Sequence, residues 1–204
     1  MKTMKTLKSK KGFTLIEVIV ILAVIAILSA VLTPMIIGYV SDARTSRAQA
    51  DVKTIAAAVQ AFNRDMKDWP IWAANTDRKT SGTPKDGLAS DDGDTPGVAT
   101  GVTLPSTLGS IDDQLLKNPA AVGYPVTGSS KWAGPYLEKV TADPWGNKYY
   151  VVAEGLKPAK ISLTGATFES AYVISAGPNK TLDTLYAAGL TVTPGGDDIV
   201  FRIK

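Results

Sequence analysis

Gly12-Phe13-Thr14-Leu15-Ile16-Glu17 opens a stretch, Val18 to Val40, that contains no charged residue. As an α-helix those 23 residues would be roughly 34 Å long at about 1.5 Å per residue, enough to cross a bilayer core. Upstream stand Lys2, Lys5, Lys8, Lys10 and Lys11, with no acid among them. Taking these five from the chain's 22 basic side chains leaves 17 against 19 acids, so the net +3 becomes −2 for residues 13–204. The basic character therefore belongs to a short leader. By the positive-inside bias, that leader predicts a cytoplasmic amino end and an exported carboxyl end. A cleaved secretory signal has an apolar core of about 7–15 residues followed by a small-x-small site. Here the run is longer, and Pro34-Met35-Ile36-Ile37 continues it where such a site would sit. These features alone leave a plain signal anchor as one reading. Glu17 is the anomaly, because a carboxylate at the edge of a hydrophobic span needs solvent or a partner.

Composition narrows the chemistry open to the rest of the chain. At 45% hydrophobic and 20% charged, 204 residues suffice for one domain, or a small domain with an appendage. The sequence has neither cysteine nor histidine. Disulfides, thiolate nucleophiles, Cys/His zinc sites, haem attachment and Ser-His-Asp or Cys-His catalysis are thereby excluded. Ser/Lys or carboxylate chemistry, oxygen-ligand metals, or no chemistry at all remain. No Ser-x-x-Lys or paired-carboxylate pattern is evident, so the chain reads as a non-enzyme. The slightly acidic body, lacking a basic aromatic groove, argues against nucleic acid as a partner.

Lys10-Lys11-Gly12-Phe13-Thr14-Leu15-Ile16-Glu17 and the apolar helix behind it resemble the class III signal of type IV pilins and pseudopilins. The resemblance implies cleavage by a prepilin peptidase after Gly12 and N-methylation of Phe13. It gives Glu17 an assembly role, pairing with the new amino terminus of a neighbouring subunit, since a carboxylate and an ammonium cost less together in hydrocarbon than apart. It also marks Pro34 as a place where the helix can melt on packing into a filament. A mid-helix proline removes one backbone hydrogen bond in any case.

Beyond the apolar run, Val52, Ile55, Val59, Phe62 and Met66 recur at spacings of 3, 4, 3 and 4. They form one stripe on a helix, against which a globular domain would pack. Trp69-Pro70 ends that helix. Residues 73–130, rich in Gly, Thr, Ser, Asp and Pro, read mostly as surface loop, with a helical turn at 111–117. Asp91-Asp92-Gly93-Asp94 lacks the spacing and terminal Glu of an EF-hand and reads as a solvated loop. Residues 148–153, 169–175 and 199–203 read as three antiparallel strands. The four tryptophans read as core and turn anchors. The expected fold is α+β: a long amino-terminal helix packed on a small antiparallel sheet with long loops, type IV pilin-like. Its divisions would be a leader (1–12), a membrane and assembly half-helix (13–40), an amphipathic half-helix (41–68), a variable loop-rich region (69–130), and the sheet with its terminal loop (131–204).

Two further segments are similar to the major, G-type pseudopilin of type II secretion. One is Gly134-Pro135-Tyr136-Leu137 with Asp143-Pro144-Trp145-Gly146-Asn147 and Tyr149. The other is Ser175-Ala176-Gly177-Pro178-Asn179 with Gly195-Gly196-Asp197-Asp198-Ile199. Residues 73–130 lie outside this likeness, and 183–194 look inserted. The resemblance implies a periplasmic filament of many copies that assists protein export. Its partners would be the prepilin peptidase, a membrane assembly platform, minor pseudopilins and the inner membrane; a surface type IV pilus subunit for adhesion or motility is the alternative. It further implies calcium in the terminal loop, with Asn179, Asp197 and Asp198 at family positions. Asp183 is added because its carboxylate is of the right chemistry for an ion that takes about six to eight oxygens.

Overall fold

The computed structural model describes residues 12–71, 85–102, 104–120, 122–156, 170–184 and 193–203. The leader up to Lys11, together with Trp72 and Glu169 and most of the 183–194 insertion, lies outside the described residues. The chain divides into two compact units, Met1–Ala43 and Arg44–Lys204.

Helix α1 runs from Leu15 to Met66 and includes Pro34 without a break in its assignment. Among the described residues it is the helix long and apolar enough to cross a membrane, and none of its most apolar stretch is buried. In the first unit Ile16, Leu22, Ile27 and Ile37 are all more than half exposed. Apolar side chains left bare at this density need lipid or protein around them. Within the second unit the character of the helix changes as the 3-4 spacing requires. Val52, Ile55, Val59, Phe62 and Met66 are all buried, joined by Ala48, Ala56 and Ala58. Lys67, at φ 56°, then turns the chain out of the helix, its N–H bonding to Asn63 O at 2.8 Å.

The sheet has five strands, in the order β3-β1-β4-β5-β7. They are β1 (Gly87–Ala89), β3 (Leu108–Ser110), β4 (Tyr150–Val152), β5 (Tyr172–Ser175) and β7 (Ile199–Arg202). A separate parallel pair joins β2 (Gly97–Val98) to β6 (Thr181–Leu182). The three expected strands are present as β4, β5 and β7, antiparallel to one another. The fold is α+β, as expected, but the strand count differs. β1 and β3, paired in parallel, come from the stretch read as surface loop. The helical turn there is found at Asp113–Lys117, as a π-type turn.

Alternation along the strands divides the sheet into two apolar faces. Val151, Val173 and Phe201 lie in register and join the helix stripe in the main core, with Leu88, Ile111 and Tyr149. Tyr150, Val152, Tyr172 and Ile174 point the other way into a second cluster with Leu182, closed by Val102 and Leu104. This second layer also departs from the sequence reading, because Leu88, Val102 and Leu104 build part of the core instead of lying over it. Trp69 and Trp132 pack on the main core, and Phe62 meets Tyr124 and Tyr136 edge-on at 4.8 and 5.5 Å.

Candidate functional site

At the amino end the structure shows a partner for Glu17 that lies in its own chain. Thr14 N–H and Thr14 Oγ1 both donate to Glu17 Oε2, at 2.9 and 3.0 Å, and Glu17 N–H donates back to Thr14 Oγ1 at 3.3 Å. This is a reciprocal capping box, which satisfies the first orphan amides of α1. Thr-x-x-Glu ahead of an apolar helix is its sequence signature. Gly12 and Phe13 precede the helix, with Phe13 81% exposed. Pro34 lies well inside α1, among exposed apolar neighbours.

The carboxyl-terminal loop brings together all four residues expected there. Asn179 N–H donates to Asp197 Oδ2 at 2.9 Å, and Asn179 Nδ2 donates to Asp183 Oδ2 at 2.8 Å. Asn179 Oδ1 accepts from Thr181 N–H at 2.7 Å. Asp198 Oδ2 accepts three bonds, from Asp183 N–H at 2.8 Å and from Thr184 N–H and Oγ1 at 2.6 Å each. Glycine is required where this backbone folds on itself. Gly196 sits at φ +53°, and a Cβ there would strike the Asp183 carboxylate; Gly177, at φ +66°, would strike Asp197 O.

Two acceptors remain over. Asp197 Oδ1 and Asp198 Oδ1 are buried without a hydrogen-bond partner. Burial pushes the Asp198 carboxyl above its ordinary value, although the bonds from Thr184 and Asp183 work against it. Adjacent carboxylates with orphaned buried oxygens suit a hard cation that prefers oxygen donors. Among the described residues no group of three or more Asp or Glu side chains converges to hold a metal ion. A cation here would depend on these two oxygens with backbone and water completing its shell.

The Asp143-Pro144-Trp145-Gly146-Asn147 segment forms a turn whose two ends, Asp143 and Asn147, are buried. Asp143 Oδ1 accepts from Trp145 N–H at 3.0 Å and Asn147 N–H at 2.8 Å, while Oδ2 accepts from Ser175 Oγ at 2.7 Å. Ser175 Oγ in turn accepts from Gly177 N–H at 3.3 Å, so the turn is tied to the terminal loop. The acidic run at 91–94 clamps against the other side of the turn. Asp94 N–H bonds Gly146 O at 2.8 Å, and Lys148 N–H bonds Asp94 O at 2.9 Å. Asp91 pairs with Lys117 Nζ at 3.0 Å and accepts from Ser110 Oγ at 2.5 Å. Asp91, Asp92 and Asp94 are exposed, as the loop reading expected, with the Asp91 and Asp92 side chains engaged in protein contacts. A groove of about 130 Å³ with mixed polar and apolar walls lies between Asp51, Thr54 and Ile55 of α1 and residues 137–141; Tyr149 OH donates to Asp51 there at 2.8 Å.

The family described as a prokaryotic N-terminal methylation motif matches residues 7–33, and the family "Type II secretion system (T2SS), protein G" matches residues 103–171. The second match takes in part of the stretch placed outside the likeness and stops short of the terminal loop. Type II secretion system core protein G of Pseudomonas aeruginosa is 26% identical over 146 residues, 72% of this chain and 75% of that protein. No solved structure matches the chain. A match to the amino-terminal methylation motif, a long apolar helix and a match to the protein G family occur in one polypeptide. The chain is thus similar to pilin-like proteins with an amino-terminal methylation motif over residues 7–33, to the type II secretion protein G family over residues 103–171, and distantly to core protein G.

Proposed function

We propose that the chain is the major pseudopilin of a type II secretion system. It enters the inner membrane as a prepilin with its amino end in the cytoplasm and its second unit in the periplasm. A prepilin peptidase cuts after Gly12, Phe13 is N-methylated, and subunits polymerise into a periplasmic helical filament that assists export. Supporting this above all is the bare apolar half of α1, directly behind the methylation motif and opened by the Thr14–Glu17 box. In the membrane, lipid covers that surface. In a filament, the same half-helices of other copies cover it. The capping box satisfies the Glu17 carboxylate while the subunit is alone. After cleavage, the cationic amino group of a neighbour's Phe13 is a stronger donor than a neutral hydroxyl, so assembly can draw Glu17 across to it. Mass spectrometry of the mature protein tests the processing: N-methyl-Phe13 is expected, and an intact Met1 in membranes would overturn it. A deletion strain scored for both exported protein and surface fibres separates the secretion role from that of a surface pilus.

We also infer that the terminal loop takes a calcium ion at Asp197 and Asp198, near Asn179 and Asp183. The two orphaned buried oxygens support this, as does a chain without cysteine that has no disulfide to close the loop. Asp198 Oδ2 and Asp197 Oδ2 hold the loop's own amides and leave Oδ1 of each for the ion. Bound there, calcium would neutralise adjacent buried carboxylates and cross-link the loop.

A further inference from the structure

We propose that residues 91–102, with Leu104 and Pro105, form a strap that holds the carboxyl-terminal loop in shape before any cation arrives. The part that concerns the cation rests on the calcium reading above. Most of this segment lies upstream of the matched protein G region, and the sequence offers no strong strand or helix signal in it. It nevertheless touches the loop at several independent points.

The first is backbone pairing. β2 runs parallel to β6, with Gly97 opposite Thr181 and Val98 opposite Leu182. Gly97 N–H donates to Lys180 O at 2.9 Å, and Ala99 N–H donates to Leu182 O at 3.0 Å. These bonds fix the stretch between Asn179 and Thr184, whose amides and side chains hold the Asp197 and Asp198 carboxylates. The second is packing. Leu182 is 3% exposed and lies in the outer sheet cluster, which Val102 and Leu104 of the strap close. The third is anchorage at both ends. Asp94 is bonded to Gly146 and Lys148 at the Asp143-to-Asn147 turn, and Pro105 lies so near β1 that a Cβ on Gly87 would come within 2.8 Å of its Cγ.

A segment pinned at each end and paired in the middle restricts the loop as a short cross-link would. The liganding oxygens are then positioned by protein contacts, and the ion meets a loop that is already ordered. Apparent affinity falls in proportion to the fraction of time a binding loop spends out of its competent shape. Ala99→Pro removes the amide that bonds Leu182 O without altering any carboxylate.

The test uses full-length protein in detergent micelles, with two readouts. Hydrogen exchange of residues 179–184 is followed in EDTA, and calcium chloride is titrated calorimetrically. The wild type should exchange slowly there even in EDTA. Ala99→Pro should exchange at least about tenfold faster and bind calcium on the order of tenfold more weakly, while amides of β4 stay protected. If β4 loses protection too, Leu104→Ala decides, since it thins the packing and leaves every backbone bond in place. Faster exchange at 179–184 with β4 intact supports the strap. Unchanged exchange in the deciding variant, or a wild-type loop that exchanges freely in EDTA, overturns it. A wild type that takes up no calcium sinks the metal reading alone, because exchange in EDTA still tests the strap.

Discussion

Replacing Asp143 by alanine should be among the most damaging single changes to the second unit. Its carboxylate is 4% exposed and accepts three bonds. Trp145 N–H, only partly buried, can turn to water. Asn147 N–H and Ser175 Oγ cannot, because their residues are 3% and 0% exposed. Each buried donor left unpaired costs about 1–3 kcal/mol, so the pair costs about 2–6 kcal/mol. A domain of 150–250 residues loses about 2–4 °C of Tm per kcal/mol, which places the fall near 12 °C and not below about 4 °C. Asp143→Asn keeps an acceptor for both amides and can donate to Ser175 Oγ, so it should cost less than half as much. The assay is thermal unfolding in micelles, followed by circular dichroism. A fall under about 2 °C for Asp143→Ala, or an Asn variant as damaged as the Ala variant, would refute the view of this turn as a buried anion cradle.

Glu17→Ala should leave the second unit's Tm unchanged and abolish recruitment into filaments, scored by cross-linking between subunits; normal filaments would remove the assembly role. Calcium at about 100 times its Kd should stabilise the wild type by about 2.7 kcal/mol, hence about 5–11 °C, and Asp197→Ala should lose the effect. Equal Tm in calcium and EDTA would discard the site. Burial raises the Asp112 carboxyl, opposed by its bond from Val140 N–H at 3.3 Å, with the Asp91 charge adding to the rise. The native state thus holds that proton more tightly than the unfolded chain, and this group's contribution to stability grows as pH falls through the raised value. Asp112→Asn should remove that growth, which urea unfolding followed from pH 7 down to about pH 4 would reveal as a smaller acid-side gain than in the wild type. An identical pH dependence in both proteins would contradict the assignment.

Some of this structure was legible because single residues announce it. The stripe from Val52 to Met66 could only be a helix with one buried face, and all five side chains are buried. β4, β5 and β7 carry β-branched and aromatic residues that suit a pleated sheet. β1 and β3 gave no such signal. Gly87-Leu88-Ala89 and Leu108-Gly109-Ser110 have low strand propensity, and their pairing is dictated by what they touch. Gly87 is glycine because a Cβ would lie 2.7 Å from Val151 O. Composition in that region reported flexible-looking residues, where the structure uses their small size. The terminal loop was legible as a set of oxygens gathered between glycines. How those oxygens are shared was not, since Thr184 supplies two of the three donors to Asp198 and carries no signal of its own. The Thr14–Glu17 box was readable from spacing and became visible only with coordinates.

The second apolar layer has a bearing on solubility at high density. A sheet with one bare face, stored beside many identical copies, would invite face-to-face clumping. Here both faces are covered, and the edge strands β3 and β7 are only three and four residues long. Gln60 Nε2 also bonds Ile203 O just beyond β7. Short, partly occupied edges are poor templates for strand addition. Such edges disfavour amyloid-like growth of the second unit.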